Sequence, residues 1–170
     1  NPWQIVNNFN VNANVAGSFF GIRTQHKDSN PVARVLQQGA NTPGPGVTAV
    51  EFTGEFPLAS LRYLDGALPV EVELDACSPC IPMNTKDSAL PCALFQFRIR
   101  NTGRKPVDVS LMAAMPNLAG WTGYTAMEKL LGPEMGYNVN TAERFDGGSM
   151  VSMGVLDGTP FEFSIPFKLH

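Results

Sequence analysis

Charge is scarce in this chain: only 16% of its 170 residues are Asp, Glu, Lys or Arg, against about 25% in an ordinary globular domain. Long helices with charged outer faces are therefore disfavoured. The net charge of −3 supplies no basic footprint, which argues against nucleic acid or an anionic membrane as partner. No apolar run approaches the ~18 residues of a membrane span. Histidine is limited to His26 and His170, which do not supply the spacing of a zinc set or of a nucleophilic triad. Cysteine is limited to Cys77, Cys80 and Cys92. Their C-x-x-C pair lacks further zinc ligands, and Ile81–Asn84 after it is turn sequence rather than the helix start that activates a thioredoxin-like thiolate. The odd count also argues against a disulfide framework, so buried or loop thiols are expected, with no metal and no cofactor. A phosphate-cradling glycine loop is missing too, since Gly147-Gly148 lies beside Asp146, whose charge repels phosphate.

What the chain does have is 16 Gly and 14 Pro, a balance that favours short strands and many turns. The length suits one domain or part of one, and folding would bury roughly 69% of the unfolded surface, enough for a core. Period-2 alternation dominates. Val70, Val72, Leu74 and Ala76 interleave with Glu71, Glu73 and Asp75, and Phe95, Phe97 and Ile99 interleave with Gln96, Arg98 and Arg100, each pattern reading as a half-buried strand. Alternation resumes at Val107, Val109 and Leu111 after Asn101–Pro106, so a hairpin across that turn is predicted. Further strands are read at Phe19–Arg23, Val32–Gln37, Val47–Thr53, Leu58–Leu64, Ser149–Val155 and Phe161–Phe167. Tyr124–Leu131 carries Ala126, Met127, Leu130 and Leu131 at helical spacing before Gly132-Pro133, the only helix predicted. Asn41–Gly46 reads as a stiff surface connector. The fold class is all-β: an antiparallel β-sandwich, complete or partial, with at most one short helix. The chain starts at Asn1 without a basic and apolar leader, and its last strand runs to His170 without a cap. The expectation is a soluble piece of a longer protein, cytoplasmic rather than secreted.

Chemistry-bearing candidates are few. Glu71, Glu73 and Asp75 share one strand face at a Cα spacing of about 6.7 Å, inside the roughly 6.5–9.5 Å range of inverting glycosidases. Catalytic carboxyls must flank a substrate from two sides, however, and these point one way. Arg98 and Arg100 are their natural cross-strand partners, so a solvated or ion-paired face is expected. Trp121, set among small residues in Asn117–Tyr124, is the best placed aromatic for stacking on a sugar or a partner, core packing being the more common use of tryptophan.

An ordered series of short segments then resembles a known family. Pro57–Tyr63 (PLASLRY), Leu68–Leu74 (LPVEVEL), Ser78–Asn84 (SPCIPMN), Asp87–Pro91 (DSALP), Arg100–Gly103 (RNTG), Pro106–Ser110 (PVDVS) and Pro116–Trp121 (PNLAGW) are similar, in the same order, to the N-terminal region of glycoside hydrolase family 116. These are β-glucosidases related to the non-lysosomal glucosylceramidase. Trp3–Ile5 and Phe19–Arg23 fit as well, and Cys80 departs from the family, which has an aromatic residue there. The resemblance implies a super-sandwich-like accessory domain, residues 1–170 being that domain or part of it, packed on a catalytic (α/α)₆ barrel that these residues do not contain. It implies a retaining carboxylate chemistry located in that barrel, so no catalytic residue and no cofactor is assigned here. The implied partners are the barrel of the same polypeptide and, through it, a glucoside or glucosylceramide-like substrate. The loop Cys77–Pro91 and the segment Asn117–Tyr124 are expected to meet the barrel and border its substrate entrance, with Asn84, Asp87 and Trp121 as contacts. A free-standing carbohydrate- or protein-binding sandwich is the other reading; sequence beyond His170 carrying a long helical-repeat pattern distinguishes the two.

Overall fold

The computed structural model describes residues 17–39, 42–119, 138–155 and 163–167. Among them 55% are strand and 3% helix, and every strand pairing is antiparallel. The chain divides into two compact units, one of them Phe19–Ala114.

In that first unit a sheet of four strands runs in the order β3 (Ala49–Glu55), β4 (Leu58–Leu64), β5 (Val70–Cys77), β6 (Leu94–Asn101). A three-stranded sheet runs β2 (Val32–Val35), β1 (Phe19–Gln25), β7 (Asp108–Ala114). Alternation decides which face of the larger sheet is buried. Phe52, Leu61, Leu74 and Phe97 lie opposite one another across its four strands, as do Val50, Tyr63, Val72 and Ile99. Val72 and Leu74, in the central strand, are fully buried, each contributing about 1.5–3 kcal/mol of apolar transfer. Ile22 of β1 is buried as deeply. The ring of Phe20, its neighbour in β1, meets those of Phe95 and Phe97 edge to face at 5.4 and 4.9 Å, which joins the two sheets face to face as a sandwich.

The connector before β3 does more than link. Val35 N donates to Pro45 O at 2.8 Å, and Val47 N donates to the carbonyls of Val35 and Gln37, forming a parallel bridge between Val35 and Gly46. A Cβ on Gly46 would collide with the Gln37 carbonyl oxygen. Glycine is thus required by close backbone approach, and Val47 enters the core.

The turn at Asn101–Lys105 forms as predicted: the Asn101 side chain accepts from Gly103 N and donates to Lys105 O, both at 2.8 Å. The hairpin does not. β6 pairs with β5, and β7 pairs with β1, so this turn carries the chain from one sheet to the other. Alternation specifies two strands and a turn, but both strands bury an apolar face whether paired together or apart, so sequence periodicity leaves the partner open.

The second unit holds a sheet in the order β10 (Phe163–Phe167), β9 (Gly148–Val155), β8 (Asn138–Phe145). β8 is not among the strands expected from the sequence, because Asn138, Asn140, Ala142 and Glu143 are poor strand formers. The Asp146-Gly147 pair that joins β8 to β9, with Gly147 at φ 78°, was its legible signal. The helix expected at Tyr124–Leu131 lies outside the described residues. The single described helix, α1 (Thr85–Ser88), is one turn long and interrupts the loop between β5 and β6.

Candidate functional site

The acidic face of β5 is an ion-pair lattice. Arg98 Nε donates to Glu73 at 3.2 Å and its other arm reaches Asp75 at 2.9 Å; Arg100 Nε donates to Glu71 at 2.9 Å. Arg62 meets Glu51 at 3.6 Å, and Ser60 Oγ donates to Asp75 at 2.7 Å. Each acid faces a base or hydroxyl on the adjacent strand, the cross-strand arrangement expected from the sequence. No two of them face each other across a cleft, the arrangement a glycosidase pair requires.

The long loop between β5 and β6 is where the sandwich becomes unusual. Asn84 caps α1: its Oδ1 accepts from Asp87 N at 3.1 Å and its Nδ2 donates to the Asp87 carboxylate at 2.6 Å. The Ser88 hydroxyl, for its part, accepts from Ile81 N and donates to Ile81 O, closing the loop on itself. Asn84 and Asp87 are thus brought together as partners of one another. Between these contacts Met83 takes φ 64°, a left-handed conformation uncommon for a long side chain, and its side chain is fully exposed. The register Leu58–Cys77–Leu94 shows that the turn between β3 and β4 leaves the sheet at the same end. That turn presents Phe56 at 87% exposure. Ile81, Leu90, Leu58 and Leu94 are also exposed there, so large apolar side chains concentrate at one end of the sheet. Cys77 is half-buried at the base of this loop, Cys80 and Cys92 are exposed, and all three are free thiols.

In the second unit, Asn117 is saturated internally. Its Nδ2 donates to Asn140 Oδ1 at 2.8 Å and reaches the carbonyls of Val139 and Gly154 at 3.2 Å, while Oδ1 accepts from Ala119 N. Asn138 donates back to Ala119 O at 2.9 Å. The start of the segment assigned to an interface therefore clasps β8 and β9. Trp121 lies outside the described residues.

Sequence reasoning missed two groups. Asp65, between β4 and β5, accepts from Arg34 Nε and from Ala67 N, both at 2.8 Å, with its side chain almost fully buried. Burial pushes its pKa up, but the Ala67 N–H, the Arg34 guanidinium and the Thr48 N–H outweigh burial and hold it below the ordinary value. Arg34 belongs to β2 and Asp65 follows β4, so this pair links the two sheets. Tyr63 is buried, and desolvation raises its pKa to about 12.

A family model described as beta-glucosidase 2, glycosyl-hydrolase family 116 N-term, matches residues 1–160. Among curated proteins none matches the chain.

Proposed function

The chain belongs to the N-terminal domain family of glycoside hydrolase family 116, and from that premise we infer that it is the non-catalytic part of a retaining β-glucosidase or glucosylceramidase-like enzyme, packing on that enzyme's catalytic barrel. Residues 1–170 are this sandwich domain or a part of it, and the bond-breaking carboxylates belong to the barrel. The observation that carries the reading is the exposed apolar end of the first unit, with Phe56 and Met83 at its tips. Side chains of this size left in water on a rigid scaffold mark a surface made for a partner. Asn84 and Asp87 contribute by holding the loop Cys77–Pro91 in the shape that presents Met83. Trp121 supplies a stacking contact from the segment Asn117–Tyr124, and both loops border the substrate entrance. The substrate is a β-glucoside or a glucosylceramide-like lipid held by the barrel. No nucleic acid takes part, and no described helix is long and apolar enough to cross a membrane.

The test uses the full-length enzyme. Phe56→Ser and Met83→Ser are expected to lower kcat/KM or loosen the domain from the barrel in limited proteolysis, while the unfolding midpoint of the isolated chain moves little. Unchanged activity and unchanged proteolysis with both substitutions together would remove the interface reading.

A further inference from the structure

The polar face of the four-stranded sheet is ordered row by row. Glu51 of β3, Arg62 of β4, Glu73 of β5 and Arg98 of β6 are direct register partners across all four strands, so one row reads acid, base, acid, base. Its two outer pairs are ion pairs, Glu51 with Arg62 at 3.6 Å and Glu73 with Arg98 at 3.2 Å, and Arg62 and Glu73 stand opposite each other between them. The flanking rows on the other face are apolar and end on Ile99 and Phe97 at β6, and on Val50 and Phe52 at β3. Among the described residues, no strand pairs with the outer edge of β3 or of β6.

The two edges therefore carry opposite signs in matching patterns. At β6 the row ends on a base between two apolar residues, Phe97-Arg98-Ile99; at β3 it begins on an acid between two apolar residues, Val50-Glu51-Phe52. Laid antiparallel with Glu51 opposite Arg98, β3 of a second copy sets Phe52 against Phe97 and Val50 against Ile99. The apolar residues then meet on one face and the charges on the other. Side chains at both edges reach water: Phe52 is 67% exposed, Ile99 is exposed, and the Arg98 side chain is more than half exposed. Neither strand contains proline or a bulge, the usual guards of a free edge.

We propose that this surface is a self-association site in which β6 of one copy pairs with β3 of the next, continuing the alternating charge row from molecule to molecule. The reading is independent of the catalytic assignment above. The contact is heterologous, since two different edges meet, and it leaves a free β3 and a free β6 at the ends of every pair. Growth is therefore open-ended rather than stopping at a dimer. A single strand pairing buries less than a standard interface, so association is weak and rises with concentration.

Sedimentation velocity of the 170-residue chain over a range of concentrations tests this. The sedimentation coefficient is expected to increase with concentration and to fall back with added salt. Arg98→Glu or Glu51→Arg each places like charges opposite one another and should weaken association about five- to tenfold. An equimolar mixture of the two variants restores opposite charges at the mixed contacts and should associate where neither does alone. A peptide of residues 49–55 should compete with association of the unaltered chain, a result that needs no variant to fold. A chain that stays monomeric at every concentration overturns the proposal, as does association that neither charge reversal nor the peptide affects.

Discussion

Asp65 and Tyr63, two residues apart at the end of β4, oppose changes of pH in opposite directions. The folded-state pKa of Asp65 is lowered, so its contribution is complete above the unfolded value of about 3.9 and is lost as pH falls through the lower folded value. Asp65→Asn keeps the shape but removes the charge facing Arg34, and is expected to cost about 2–3 kcal/mol at neutral pH, the scale of breaking a largely buried pair. Urea midpoints at neutral pH and near pH 3 should differ less in this variant than in the unaltered chain. For Tyr63 the sign reverses. Its pKa is raised to about 12, so its contribution is present below the unfolded value of about 10 and is lost as pH rises through 12. In a tyrosinate absorbance titration one of the three tyrosines should ionise late, and Tyr63→Phe should remove that late step together with part of the alkaline loss of stability.

At the scale of elements, the strap Pro45–Val47 shows how a turn sequence becomes part of a sheet. Its sequence, rich in Gly and Pro, reads as a connector, yet its backbone is bonded to β2 and brings Val47 into the core. Gly46→Ala forces Cβ into the Gln37 carbonyl and is expected to cost about 1–3 kcal/mol, comparable to overpacking a core. Gly66, in the turn between β4 and β5, has open space around its Cβ position, so Gly66→Ala should shift stability by no more than about 0.5 kcal/mol. Equal thermal shifts for the two variants would show that the strap carries no special constraint. The loop holding α1 follows the same logic. Asn84 and Asp87 stand out in the sequence as polar residues in a turn, a pattern that fits a partner contact and a helix cap equally well. The structure shows them facing each other, while Met83, an apolar residue with no marked pattern around it, is the one left in water.

Across the whole molecule, sequence alone determined the strands other than β8, the turn at Asn101–Lys105, the ion-paired face and the family. Alternation at β5 and β6 is a one-dimensional signal of a half-buried surface, and an ordered series of short segments survives without any knowledge of their contacts. Cross-strand neighbours such as Glu73 and Arg98 were legible because side-chain direction has period two and charge complementarity then selects the pairing. Tertiary structure decided the rest. That β6 and β7 lie in different sheets depends on which faces meet across the core, where Phe20 reaches Phe97. The Arg34–Asp65 link, separated by 31 residues, and the Asn117 clasp on β8 and β9 join points that no local periodicity relates. The exposed ends of Phe56 and Met83, and the opposite charges on β3 and β6, are properties of a surface. They arise only when the packed sheet fixes which side chains the core has no room to take.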